Sequence, residues 1–228
     1  MKKYEVILLD LDETLFDFKK TELYALEKTF TLFNIKYDEA YHLAAYSKIN
    51  TQVWKDLEQG LLTTAQLKVE RFRRLIETLD LEGDATEWSD TYAKCLGEGA
   101  FLLEGAKELV EALSKKYRLG VITNGIGSVQ HSRLERSGLA SYFETVIISE
   151  EVKVSKPNEK IFEIALESLN HKDLSTVLMI GDSLTSDIQG GINAGVDTCW
   201  YNPQHIDNAK DIKATYEVHS YEDIKEIL

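Results

Sequence analysis

The sequence predicts an α/β protein: a doubly wound parallel sheet with an all-helical subdomain inserted just after its first strand. Three observations carry this. Five apolar runs of strand length occur, several of them without polar alternation, as suits parallel strands covered on both faces. From the second run onward they alternate with segments of helical period, the pattern of a right-handed strand–helix–strand sheet. Between Phe18 and about Leu102 the alternation breaks: no convincing strand is found, and the periodicity is helical.

The elements follow in chain order. "YEVILLD" (4–10) is the first strand. In the insert, "TELYALEKTFTLF" places Leu23, Leu26, Phe30 and Phe33 on one helical face. "LLTTAQLKVERFRRLIETL" starts with Thr63 or Thr64 as N-cap and carries an apolar stripe of Leu67, Phe72, Leu75 and Leu79. The later strands are "RLGVIT" (118–123), "FETVII" (143–148), "TVLMIG" (176–181) and "VDTCWY" (196–201). Helical patterns over 105–116, 128–137, 158–169 and 186–194 separate them. The expected division is a core of residues 1–17 and 103–228 and a helical cap of residues 18–102. Pro157 and Pro203 fall in loops just after strands.

Composition narrows the class of function. The chain has 228 residues, 43% hydrophobic and 29% charged, enough apolar material for a sizeable core. A formal net charge of −13 argues against general binding to a nucleic-acid backbone. Cys95 and Cys199 lack metal-type spacing and read as reduced, buried thiols of a cytosolic protein. Lys2 and Lys3 resemble the start of a signal peptide, but the apolar run after them is cut at Asp10. No stretch approaches the ~18 apolar residues of a membrane span, so a cytoplasmic location away from membranes is expected. The oligomeric state, monomer or homodimer, is left open.

In a doubly wound sheet, ligands sit beyond the carboxyl ends of the strands. What lies there is informative. Asp10, Asp12 and Thr14 follow the first strand, and Thr123, Asn124 and Gly125 the second. Lys156 and Pro157 lie beyond the third, and Asp182 and Asp187 follow the fourth. Each piece alone is weak: an Asp-x-Asp pair is usually a turn or cap, "TNG" a turn signal, and Lys-Pro almost nothing. In this order, each after its own strand, they predict one rim of acids, a hydroxyl, an amide and a lysine. A cation there would let a carboxylate approach a phosphate dianion, and Mg²⁺ prefers such hard oxygen ligands while keeping several waters.

The segments "DLDETL", "TNG", "SKP" and "GDSLTSD" resemble motifs one to four of the haloacid dehalogenase-like (HAD) hydrolases. The resemblance covers essentially the whole chain, including a helical cap between motifs one and two, and implies a Rossmann-like core. "SEEVKVSKPNEKIF" further resembles the branch of small phosphatases similar to pyrimidine 5′-nucleotidases. The resemblance implies a Mg²⁺ cofactor held by Asp10, Asp182 and the main-chain carbonyl of Asp12. Asp187 would sit behind them, orienting a metal-bound water or Lys156. Asp10 would attack phosphorus and form an aspartyl-phosphate. Asp12 would protonate the leaving oxygen and later take a proton from the attacking water. Thr123 and nearby main-chain amides would bind the phosphoryl oxygens, with Asn124 close by, and Lys156 would add a positive charge.

Asp12 separates branches of that family. Its dehalogenases lack an acid there, since a departing halide needs no proton, and its pump ATPases carry Asp-Lys-Thr-Gly-Thr on a membrane protein. Glu13 stands where many relatives have Gly, which weakens any claim that this turn needs positive φ. In the cap, Tyr46, Trp54, Trp88 and Tyr92 offer faces for a nucleobase, although packing among the cap helices is the simpler expectation for each. His42 and His131 read as surface or packing residues. "GIGSVQ" lacks the third glycine of a dinucleotide fingerprint, and "GGINAG" reads as a tight helix–strand junction.

The expected function is therefore a Mg²⁺-dependent phosphatase of small cytosolic phosphomonoesters, nucleoside 5′-monophosphates foremost. A sugar phosphomutase-type phosphotransferase or a broad-specificity sugar-phosphate phosphatase would share every motif. A non-catalytic binding module is disfavoured, because Asp10, Asp12, Lys156 and Asp182 are all present.

Overall fold

The computed structural model describes residues 4–59 and 61–228. Lys2 and Lys3 lie outside the described residues, as does the side chain of Thr64. Two compact units divide the chain: Met1–Lys19 with Ala100–Leu228, and Lys20–Gly99.

The first unit is built on a parallel sheet of β1 (Val6–Leu9), β2 (Arg118–Thr123), β3 (Thr145–Ile148), β4 (Val177–Gly181), β5 (Asp197–Tyr201) and β6 (Tyr216–Val218). The order across the sheet is β3-β2-β1-β4-β5-β6. β1 is central for a reason visible in its sequence: Val6, Ile7, Leu8 and Leu9 are all fully buried, as a strand covered on both faces requires. Successive side chains point to opposite faces. Ile7 and Leu9 join the apolar layer with Leu109, Val110 and Ile224, while Val6 and Leu8 join the layer with Ile161, Phe162 and Ala165. Each such aliphatic side chain contributes roughly 1.5–3 kcal/mol by leaving water.

The chain runs from β1 outward through β2 to β3, then returns to the other side of β1 for β4, β5 and β6. The order thus reverses at β1, and a crevice forms at the carboxyl ends where neighbouring connections part. Both first-strand acids emerge at that point.

Helices α5 (Ala106–Ser114), α6 (Gly127–Ser137), α7 (Ser149–Val152), α8 (Glu159–Ser168), α9 (Gln189–Ala194) and α10 (Tyr221–Ile227) belong to the same unit. The helix expected over 186–194 opens instead as a wider π-type turn at Leu184–Ile188, capped by the Ser183 hydroxyl, which accepts from the Ser186 N–H. β6 and α10 had no counterpart in the sequence reading. A three-residue strand shows no periodicity; β6 exists because it pairs with β5, and α10 because Ser220 and Asp223 form a capping box.

The second unit holds helices α2 (Ala44–Glu58), α3 (Thr64–Leu79) and α4 (Ala85–Glu98) and most of α1 (Phe18–Leu32), with no strand among its described residues. Thr63 is the N-cap of α3 and forms a capping box with Gln66. The buried stripe of α1 runs through Thr21, Ala25, Leu26, Thr29 and Phe30. Leu23 and Phe33 are only partly buried, and Phe33 stacks on Trp88 with centroids 4.1 Å apart. Trp88, Tyr46 and Tyr92 are wholly buried among Phe30 and Phe72, so they pack the helices. Trp54 is 46% exposed. His42 is buried against Phe30, and the exposed His131 of the first unit lies 2.9 Å from Glu151. Neither belongs to a metal-type cluster among the described residues.

Cys95 and Cys199 are free and buried, and burial pushes the Cys199 thiol up to about 12. No helix among the described residues is long and apolar enough to cross a membrane.

Candidate active site

The site grows from the end of β1. Asp10 continues the ladder, its N–H donating to the Ile180 carbonyl at 3.0 Å. The chain then turns on Leu11, whose carbonyl accepts from the Leu15 and Phe16 N–H groups, each at 2.8 Å. Glu13 sits inside this turn at φ 59°, in the left-handed region. The turn therefore does take positive φ, contrary to the inference from its glutamate. Its carboxylate accepts from the Lys19 N–H at 3.1 Å, which helps to hold a conformation unfavourable for a side-chain-bearing residue.

Thr14 ties this turn to the β4 end: its hydroxyl accepts from the Asp182 N–H at 3.1 Å. Two aromatic residues absent from the sequence reading fix the same junction. Tyr221 donates its hydroxyl to the Thr14 carbonyl and Trp200 its indole N–H to the Asp182 carbonyl, both at 2.8 Å. Their partners come from distant elements, so no local pattern announces them.

Lys156 is the electrostatic centre. Its ammonium lies 2.5 Å from Asp10 Oδ1 and 2.6 Å from Asp187 Oδ1, and donates to the Ile122 carbonyl at 2.7 Å. All three protons of the ammonium thus have acceptors. Burial works against its charge, but Asp10 and Asp187 outweigh that, and its pKa is raised overall. Asp187 is itself locked, accepting from the Ser183 N–H at 2.9 Å. Gly181 leaves it room, since a Cβ there would overlap the Asp187 carboxylate.

Asn124 ties the end of β2 to the Lys156 segment. Its side-chain oxygen accepts from the Lys156 N–H at 2.9 Å and its side-chain nitrogen donates to the Lys156 carbonyl at 3.0 Å. The side-chain amide is thus engaged with the Lys156 backbone through both its oxygen and its nitrogen. Thr123 is buried, and its hydroxyl accepts from Gln130 Nε2 at 3.0 Å. That same amide donates to Asp12 Oδ2 at 2.8 Å, and Arg133 Nη1 reaches Asp12 Oδ1 at 2.5 Å. Gln130 and Arg133 went unseen in the sequence, where they read as two polar positions of an ordinary helix.

Asp10, Asp182 and Asp187 each offer an oxygen within 4.8 Å of the others, and Asp10 and Asp187 are buried. One ammonium faces three carboxylates. At about 4 Å and an effective dielectric near 20, each like-charge pair repels by roughly 4 kcal/mol. Burial, chiefly, together with the neighbouring acids, holds the Asp10 carboxyl well above the ordinary range despite Lys156. Burial, Asp187 and Glu13 push Asp182 up to about 7. An all-oxygen, anion-rich cluster of this kind fits a hard divalent cation. Asp182 is reached from an open cleft lined by Glu13, Lys19, Tyr201, Asn202 and Gln204.

The profile of the haloacid dehalogenase-like hydrolases matches residues 4–195. The chain is similar to pyrimidine 5′-nucleotidase YjjG of Escherichia coli, 38% identical over 99% of this chain and 98% of that protein. It is also similar to pyrimidine 5′-nucleotidase PynA of Streptococcus pneumoniae, 39% identical over 99% of this chain and 95% of that one. Among solved structures, the magnesium-bound HAD-hydrolase YfnB of Bacillus subtilis superposes with a TM-score of 0.91 at 35% identity, covering 100% of this chain and 99% of the other.

Proposed function

Because the chain belongs to the haloacid dehalogenase-like hydrolase family, we propose that it is a Mg²⁺-dependent phosphatase whose substrates are nucleoside 5′-monophosphates, hydrolysed through a phosphorylated Asp10. That it hydrolyses phosphoric monoesters follows from the family and its full-length relatives; the metal, the intermediate and the substrate are the proposal. The observation that carries it is the gathering of Asp10, Asp182 and Asp187 around the Lys156 ammonium, where the sheet order reverses.

Asp10 and Asp182, with the main-chain carbonyl of Asp12, would hold the ion, and Asp187 would act from behind by fixing Lys156. Bound there, Mg²⁺ supplies the positive charge that lets an anionic carboxylate meet a phosphate dianion. The protein's own groups do the rest. An Asp10 oxygen attacks phosphorus, the bond to the ester oxygen breaks, and Asp12 gives that oxygen a proton. Water then attacks the aspartyl-phosphate, passes its proton to Asp12, and phosphate leaves with Asp10 restored. Lys156 holds Asp10 in place and offsets negative charge throughout, and the Thr123 hydroxyl binds a phosphoryl oxygen.

Measuring phosphate release from nucleoside 5′-monophosphates and sugar phosphates tests this. Pyrimidine 5′-monophosphates should be preferred, and EDTA should lower the rate at least ~10²-fold, with recovery on adding Mg²⁺. Preference for sugar phosphates would point to the broad sugar-phosphate phosphatase. Isomerised sugar phosphate without free phosphate would point to a phosphomutase. Full activity in EDTA would refute the metal.

A further inference from the structure

On the reading that Asp12 is the acid–base group, we propose that Arg133, with Gln130, is the positioning residue that holds the Asp12 carboxylate at the leaving oxygen. The two Asp12 oxygens are taken separately: Oδ1 by Arg133 Nη1 at 2.5 Å, Oδ2 by Gln130 Nε2 at 2.8 Å. Arg133 Nη1 also donates to Gln130 Oε1 at 3.0 Å. The two clamping residues lie one helical turn apart on α6, so they share a face. Gly125 makes their approach possible, because a Cβ there would collide with the Gln130 side chain.

The cost of this arrangement argues for a purpose. Arg133 is wholly buried, its guanidinium 4.3 Å from the centre of the Phe16 ring, and its Nε and Nη2 have no hydrogen-bond partner among the described residues. Burying unpaired donors of a charged group is costly, and a leucine would fill such a place without that penalty. What leucine could not do is fix a carboxylate that stands on a turn with its side chain 29% exposed. Proton transfer requires that carboxylate within hydrogen-bond reach of one oxygen, and a free side chain would sample other rotamers. The clamp also links Asp12 through Gln130 to Thr123, so acid and phosphoryl site share one network.

A leaving-group comparison separates positioning from mere structure. A nucleoside 5′-monophosphate expels a primary alkoxide that needs a proton, whereas p-nitrophenyl phosphate expels a stabilised anion that needs none. Arg133→Met should lower kcat/KM, which reports transfer to Asp10 and not the later hydrolysis common to both esters, roughly 10²-fold on uridine 5′-monophosphate and less than about fivefold on p-nitrophenyl phosphate. Arg133→Lys, which keeps a cation, should recover most of the loss. In an Asp12→Asn background Arg133→Met should add almost nothing, since its effect passes through Asp12. Equal losses on both esters, full additivity with Asp12→Asn, or failure of both Arg133 variants to fold by circular dichroism would overturn the proposal. A wild-type enzyme that hydrolyses neither ester would instead refute the phosphatase reading beneath it.

Discussion

Asp10→Asn should abolish phosphate release, by at least ~10⁴-fold, while leaving the fold intact and more stable to heat in EDTA. The two halves of this result have one cause. Asp10 is nearly buried, facing Asp182 and Asp187, with one ammonium between them. The loss of hydration and three repulsions, from Asp187, Asp182 and Asp12, oppose its charge; one attraction, to Lys156, favours it. The folded protein keeps the carboxyl well above its ordinary range, so the ionised form costs stability at neutral pH. Asparagine removes that cost together with the nucleophile, the usual opposition of stability and activity in a strained site. Thermal unfolding in EDTA beside steady-state kinetics checks both. A variant that retains turnover would discard Asp10 as nucleophile, and one less stable in EDTA would contradict the electrostatic balance.

Lys156→Met should cost both activity, roughly 10³-fold, and stability, about 3–5 kcal/mol. Methionine nearly fills the volume but supplies no charge. Asp10 and Asp187 would then face each other buried, and the Ile122 carbonyl would lose its donor. Urea denaturation reads the stability loss. The same substitution in an Asp10→Asn background should cost markedly less, because one of the two stranded charges is gone. Equal costs in both backgrounds would show that Lys156 acts by packing alone.

Much of this site is legible before any coordinates because each reactive group follows an apolar strand. Asp10, Thr123 and Asp182 stand at the ends of "VILLD", "RLGVIT" and "TVLMIG", and strand period and sheet handedness then bring them to one edge. Lys156 is harder, for it lies beyond β3 and α7, and only its motif marks it. What stayed hidden consists of contacts between side chains far apart in sequence. Arg133 meets Asp12 across 121 positions, and Tyr221 meets Thr14 across 207. Asn124 pairs its side-chain amide with the Lys156 backbone across 32 positions, which no local pattern announces. Glu13 shows the same limit for the backbone: its residue type argues against a left-handed turn that hydrogen bonds from Leu15 and Phe16 impose.

In the proposed reaction, phosphorus becomes covalently attached to Asp10. Enzyme turning over a nucleoside 5′-monophosphate in Mg²⁺ can be quenched in acid and reduced with borohydride, which converts an aspartyl-phosphate to homoserine. Mass spectrometry of the peptide spanning residues 4–19 should find homoserine at position 10, with none when Mg²⁺ is withheld. Unmodified aspartate at position 10 during full turnover, or homoserine at another acid, would contradict it.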